Sequence, residues 1–385
     1  TAKLVRGTTN ENLLWAQSYE RDLRDILALQ GEVARSIAGE IGIRLTPQEE
    51  ARLASGRQVD PAVHQLYLLG RHHLGRASKD GNRRAIESFE QVIAKDPGNA
   101  AGHVGLAEAY IQLSMIFSDV PPRDVMPKAK ASATTAVKLE ESLADAHASL
   151  GYIHLFYDWN GPAAEREFQR AIQLNPSLAI AHLYYAQYLL VMRREDAAVA
   201  EIRRALDLDP LSPRTYAFGT LLFTFAGRYD EAIALARHAL DLDPRFGTAL
   251  VFQGLAYAEQ RRFPEAVSNL QKALQLDRGV RTLVLGAHVH AVAGRKGEAE
   301  NLIKEGERIA GEGYFCPYEV ALAHISLGDH DKAYAWLKKG VEARADCMAL
   351  LHVEPWVQPF RADPRYAQLL DAVGLDPRAV PKPIR

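Results

Sequence analysis

The chain has 385 residues and only two cysteines, Cys316 and Cys347. Two cysteines cannot build a disulfide framework, and their spacing offers no cysteine zinc site. Free thiols are expected, because two isolated cysteines seldom meet the geometry of a bridge. Long apolar runs are missing too, so no segment reads as a bilayer span, and no signal-peptide pattern opens the chain. Nor is there an excess of charge of one sign: 46 Lys and Arg stand against 48 Asp and Glu, a formal net charge of −2. Such a balance gives no global field to draw in nucleic acid or an anionic membrane. There is no glycine-rich phosphate loop between a strand and a helix, no Gly-x-Ser-x-Gly elbow and no His-Glu-x-x-His. No catalytic group, cofactor site or metal site is therefore expected. What remains is 48% hydrophobic and 24% charged, the composition of an ordered globular chain.

The strongest positive signal is a period. Pro176, Pro210 and Pro244 stand 34 residues apart. Each closes a nearly repeated phrase, Arg-Ala-Ile-Gln-Leu-Asn-Pro, Arg-Ala-Leu-Asp-Leu-Asp-Pro and His-Ala-Leu-Asp-Leu-Asp-Pro. A fixed period of this length marks a stacked array of helix pairs. In each unit a small residue precedes a larger one by three places: Ala107 and Tyr110, Gly151 and His154, Ala186 and Leu189, Thr220 and Phe223, Gly254 and Tyr257. Alanines follow at the opening of the second helix (Ala198, Ala232, Ala266) and again seven residues on (Ala205, Ala239, Ala273). Small side chains there let two antiparallel helices approach closely, and the proline stops the second helix.

Read outward, the pattern gives repeats at 61–97, 100–141, 144–176, 179–210, 213–244 and 247–278, with degenerate ones at 280–311 and 314–345. An irregular insertion, Ser118 to Arg123, interrupts the second, and Arg278 replaces the expected proline. A helix opened by Asp363-Pro364, with Tyr366, Leu369, Leu370 and Val373 on one side and Gly374 as its end, is expected to cap the array. Residues 1–55 do not repeat. Residues 3–6 and 13–19 read as two strands, and Ile26, Leu29, Val33, Ile37 and Ile41 form a helical stripe. Thr46-Pro47-Gln48-Glu49 is a capping box, residues 56–60 a linker, and Asp60-Pro61 caps the first repeat. The domain reading is thus 1–55, a linker at 56–60, an array over 61–350, a capping helix in 351–375 and a flexible tail at 376–385.

This pattern resembles the tetratricopeptide repeat. The resemblance implies an all-α fold, a right-handed superhelical solenoid of about eight helix pairs whose first helices line the concave face, preceded by a small α+β remnant of hairpin plus helix. Leu14-Trp15-Ala16-Gln17-Ser18-Tyr19-Glu20-Arg21-Asp22-Leu23 and the following Asp25 to Ala34 are similar to the end of the TolB-like domain that precedes such repeats in bacterial signalling proteins. There an adenylate cyclase, a kinase or a winged-helix domain commonly stands upstream. The first residue is Thr1, so this chain is expected to be cut from something longer.

Under the family geometry the candidate protein-binding residues are Tyr152, Leu183, Gln187, Leu190, Leu221, Thr224, Val251, Leu255 and Tyr318. Their row is mostly apolar and suits an amphipathic helix or an extended apolar segment; the competing reading is packing against the neighbouring repeat. The partner is expected to be a protein or peptide, or the upstream part of the same protein, and self-association through the apolar ends is a third reading. The compartment is expected to be the cytoplasm, or the periplasm if a membrane helix precedes. His103, His147 and His182 take equivalent places in successive first helices, either as packing residues with a bonded ring nitrogen or as a pH-sensitive ladder. His72 and His73 point too far apart on a helix to share a metal. Arg83-Arg84, Arg193-Arg194, Arg228, Arg261-Arg262 and Arg295-Lys296 form a basic edge. It reads as a solvated rim, or as a nucleic-acid ledge that Glu195, Asp196, Asp230 and Glu231 interrupt, so no nucleic-acid partner is expected.

Overall fold

The computed structural model describes residues 2–6, 12–17, 32, 33, 35–37, 60–75, 79–115, 120–310, 314 and 316–376. Among these, sixteen helices form eight antiparallel pairs. They are α1 (Pro61–Gly75) with α2 (Lys79–Lys95), α3 (Ala100–Met115) with α4 (Pro122–Leu139), α5 (Ala144–Phe156) with α6 (Gly161–Leu174), and α7 (Ala179–Val191) with α8 (Glu195–Leu208). The series continues with α9 (Pro213–Phe225) and α10 (Tyr229–Leu242), α11 (Gly247–Glu259) and α12 (Phe263–Leu276), α13 (Val280–Val292) and α14 (Lys296–Ala310), and α15 (Pro317–Leu327) and α16 (His330–Glu342). Each first helix packs on its own second helix and on the first helix of the next pair, which is the stacking of a solenoid.

The small residues do what the period implies. Ala198, Ala232, Ala266, Ala205 and Ala239 are fully buried, and Ala273 nearly so. At Gly151 a Cβ would stand 2.5 Å from the Phe168 ring of α6, so that ring of the second helix lies directly against the backbone of the first. Second helices are amphipathic, with one buried stripe, whereas the first helices from α3 onward are apolar almost all round. In α7 every residue from Ala181 to Val191 is buried. A helix of that kind needs cover on all sides.

Two turns recur. Within a pair, one residue adopts a left-handed conformation: Trp159, Arg193, Gly227, Arg261, Gly294 and Gly328, with φ between 55° and 78°. Between pairs, an Asn or Asp at the end of the second helix folds its side chain onto the backbone two residues on. Asn175 accepts from Ser177 N at 3.1 Å, Asp243 from Arg245 N at 3.0 Å and Asp277 from Gly279 N at 2.9 Å. Arg278 therefore breaks the proline pattern without breaking the turn, because the carboxylate before it makes the same bond.

At the amino terminus β1 (Ala2–Arg6) pairs antiparallel with β2 (Asn12–Gln17), Leu4 opposite Trp15. Val33 and Ile37 are helical; Ile26, Leu29 and Ile41, the capping box at Thr46, residues 56–59 of the linker, Ser118, Asp119, Gly311 and the tail from 377 lie outside the described residues. Asp60 does cap α1, accepting from Ala62 N at 2.8 Å.

The carboxy-terminal part departs from the expected plain cap. After α16 the chain turns at Arg344 (φ 50°) and forms two 3-10 helices, Asp346–Leu350 and Pro355–Phe360, before α17 (Tyr366–Ala372). Gly374, in the left-handed region, ends α17 as its sequence implies. Instead of only covering the last pair, this segment runs through the inside of the superhelix. Its first 3-10 helix lies against α3, α5 and α15. Arg344 donates from Nη1 to the Tyr157 carbonyl at 2.9 Å, across 187 residues of sequence. Trp356 meets Phe225 of α9 and His288 of α13, each with ring centroids 5.6 Å apart. One buried cluster embraces this segment and the first helices around it.

Candidate functional site: an inner groove filled by the chain itself

The nine residues expected on the concave face are all buried, none more than 8% exposed. Tyr152 packs 4.5 Å from Phe156 and 4.9 Å from Tyr184 between ring centroids. Burial pushes its hydroxyl far up, with Asp346 of the axial segment adding to the effect. Thr224 donates back to the Thr220 carbonyl at 2.8 Å. The carbonyl oxygen of Gln187 is buried without a bonding partner. Leu183, Leu190, Leu221, Val251 and Leu255 belong to the cluster that also holds Leu350, Leu351, Trp356 and Phe360. The groove is apolar, as the residue types imply, but it is occupied. A Glu at Leu255 would enter a core rather than a waiting surface.

The occupying segment is held by a few directed bonds. Tyr318 donates to Glu354 at 2.7 Å, and the Trp356 indole donates to the same carboxylate oxygen. Burial pushes the Glu354 carboxyl up to about 8, against those two bonds. Arg361 donates to the carbonyls of His352 and Glu354, and Tyr366 to that of Leu351 at 3.0 Å. Arg365 grips Asp363 with two nitrogens, at 2.8 and 2.7 Å, and reaches Asp331 of α16 at 2.9 Å. Arg344 also lies over the Trp159 ring, 5.1 Å from its centroid.

Of the histidine ladder, His103 meets the Pro97 carbonyl through Nε2 at 3.2 Å, and the other two are bonded at both ring nitrogens. His147 contacts Glu167 at 2.6 Å and the Glu141 carbonyl at 3.0 Å; His182 contacts Glu201 at 2.5 Å and the Pro176 carbonyl at 3.0 Å. The Glu167 bond raises the pKa of His147. Burial opposes protonation of His182, but its bonds to Glu201 and Pro176 outweigh it, and the pKa rises. His288 is the opposite case: burial lowers it to about 4, and its Nδ1 meets the Ser326 hydroxyl at 2.6 Å. Along the basic edge four arginines are paired: Arg193 with Glu195 at 2.9 Å, Arg194 with Glu165, Arg228 with Glu231 at 3.3 Å and Arg262 with Glu265 at 2.7 Å. Where such cations already face carboxylates, they release few counterions from a phosphate backbone.

One feature escaped the linear reading. Cys316, at the start of α15, and Cys347, in the first 3-10 helix, are free but adjacent, with Asp346 beside them. Spacing along the chain ruled out a shared site; folding brings the two thiols together.

Comparison with known proteins bears on the fold. Family models described as Tetratricopeptide repeat match residues 66–114, 160–213 and 221–280, and residues 318–347, together half of the chain. The chain is 36% identical over 106 residues to a Rhizobium meliloti (strain 1021) protein described as "Putative adenylate cyclase 3"; the match covers 28% of this chain and 18% of that one. Among solved structures, the human IFIT1 dimer with m7Gppp-AAAA is similar over 90% of this chain and 76% of its own, with 16% identity and a TM-score of 0.57. Yeast Tom70 is similar over 80% and 67%, with 16% identity and a TM-score of 0.49. The resemblance of the amino-terminal segment to a TolB-like domain finds no support in these comparisons. Between the matches, the two longer unmatched stretches cover the second helix of the interrupted second repeat with the first helix of the third, and the degenerate seventh repeat; with half of its length matched, the chain belongs to the tetratricopeptide repeat proteins.

Proposed function

We propose that this chain is a non-catalytic protein-interaction module whose inner groove binds an extended, aromatic-bearing segment of a protein partner, and that its own axial segment occupies the groove until displaced. The observation that carries this reading is the docking of residues 346–373. The inner helices hold a Trp, a Phe and a buried carboxylate from a stretch that is not part of any repeat. A groove that accepts Glu354-Pro355-Trp356-Val357-Gln358-Pro359-Phe360 has the chemistry to accept a similar segment supplied from outside. Tyr152, Leu183, Gln187, Leu190, Leu221, Thr224, Val251, Leu255 and Tyr318 would line that exchange.

The test is exchange in trans. A fluorescent peptide of residues 344–376 is titrated into the wild-type chain and into a Trp356→Ala/Phe360→Ala variant, with helicity followed by circular dichroism. The variant should bind the peptide at micromolar concentration and the wild type should not. A helical variant that releases its own segment, seen by hydrogen exchange, yet ignores the peptide would refute the reading.

A second reading, that this is the regulatory part of an adenylate cyclase, rests on the similarity to the Rhizobium protein. It predicts a cyclase domain in the coding sequence upstream of Thr1, and nucleotide turnover that changes when the groove is emptied.

A further inference from the structure

The thiols of Cys316 and Cys347 and a carboxylate oxygen of Asp346 lie within 4.8 Å of one another. Three observations bear on what this cluster is for. Cys316 and Asp346 are nearly inaccessible, at 1% and 4% exposure. Asp346 spends one oxygen on the Cys347 N–H at 2.9 Å, while the other, Oδ2, is buried with no bonding partner. The neighbourhood is also short of positive charge. Arg281 stands 3.0 Å from Glu319 and its charge also acts on Asp346, so one guanidinium serves two buried carboxylates. A buried carboxylate that is neither paired nor fully bonded is costly and calls for a proton or a cation.

We propose that Cys316, Cys347 and Asp346 form a buried site for a divalent cation of the zinc type, with the fourth position taken by water or the Tyr314 hydroxyl. Two sulfurs and one carboxylate oxygen suit a borderline-soft tetrahedral ion. Zinc–sulfur bonds of about 2.3 Å place neighbouring donors about 3.8 Å apart, so no pair of donors has to close by more than about 1 Å when the ion enters. The Tyr314 hydroxyl, two residues before Cys316, is buried and unbonded. On binding, each thiol gives its proton to solvent and its sulfur lone pair to the metal. The ion's two positive charges then offset the two thiolates, while the carboxylate gains a metal bond for its unpartnered oxygen and keeps its share of Arg281 as counter-charge. The ion would join the start of α15 to the first 3-10 helix, pinning the axial segment at its entry. The site does not depend on the groove reading: metal binding stays measurable even if no peptide displaces the segment.

The test uses the full chain, reduced and freed of metal with a chelator, then titrated with Co²⁺ and afterwards Zn²⁺. One equivalent of Co²⁺ should produce thiolate-to-cobalt charge transfer in the near ultraviolet and tetrahedral bands in the visible, both abolished by Zn²⁺. Cys347→Ser should weaken binding at least tenfold and diminish the charge transfer. Asp346→Asn, which keeps shape and removes the charge, should also weaken Co²⁺ at least tenfold with an unchanged far-ultraviolet spectrum. Absence of the charge-transfer band overturns the proposal, as does isolation of the chain with Cys316 joined to Cys347. Unchanged cobalt affinity in Asp346→Asn overturns it as well.

Discussion

Between residues 144 and 276 the chain touches chiefly what lies one or two helices away. From Arg344 to Gly374 its contacts reach back to α5, to α9 and to the turn at Trp159. The two regions share residue types, aromatics against small residues and arginines against carboxylates, but they bind the molecule differently. In the repeats, stability adds up from neighbour to neighbour, as in any quasi-one-dimensional array. The axial segment has no repeat of its own and gains its burial only if repeats far apart in sequence are already in place. It should therefore form late in folding, since distant contacts repay their loop closure only after the frame exists.

Truncating one aromatic in each region should separate them. Phe168→Ala opens a cavity inside the α5–α6 pair and should cost ~3–5 kcal/mol of global stability, read as a lower midpoint in urea. Trp356→Ala removes a comparable side chain, yet its loss should fall on the axial segment. Hydrogen exchange should quicken over residues 346–373 while the helix pairs stay protected. Equal exchange everywhere in Trp356→Ala would mean that segment and array form one cooperative unit. Next in size, Ala198→Leu or Ala232→Leu should cost ~1–3 kcal/mol by overpacking; an unchanged melting curve would contradict the close approach of the paired helices.

The regions should also answer pH differently. His147 and His182 have raised folded pKa values, so their contribution is full below about 6.5 and fades as pH rises through the folded values. His288 is held neutral, so its contribution is full above about 6.5 and is lost as pH falls towards about 4. Glu354, pushed up to about 8, favours the docked segment below the ordinary carboxylate range and ceases to as pH rises through about 8. Glu354→Gln should therefore gain at least about 1 kcal/mol over the wild type between pH 6 and pH 9, measured as the difference in unfolding midpoint at the two pH values. A constant difference would place the carboxylate in solvent contact. The smallest expected effect is at the turns. Arg261 holds a left-handed conformation that Gly227 and Gly294 hold at equivalent places, so Arg261→Gly should raise stability by ~0.5–1 kcal/mol, seen as a small rise in Tm.

The repeats were legible because their physics is local. The alanines at 34-residue spacing, the ends of the second helices and the Gly374 stop all follow from steric rules over a few residues. The proline period was a proxy: Asp277 makes the same turn before Arg278 as Asn175 makes before Pro176. The axial segment was not legible, because nothing local encodes a bond from Arg344 to Tyr157. A signal did exist in the inner helices. A stretch such as Ala-Ile-Ala-His-Leu-Tyr-Tyr-Ala-Gln-Tyr-Leu-Leu-Val has no polar face for a water-filled groove, and it implies cover from both sides. The pairing of Cys316 with Cys347 was invisible for the same reason, since it depends on the path of that cover.

Gly374 sits where a Cβ would stand 3.0 Å from the Trp159 carbonyl, so the end of α17 abuts the turn of the third repeat. Mechanically, the molecule is then less a spring with two free ends than a hoop with a spoke. A pull applied at residue 376 loads the Trp159 turn and the Arg344 latch before it reaches α16. Forced unfolding from the carboxy terminus should begin with one abrupt release of the spoke, and only then proceed by peeling helix pairs from the end.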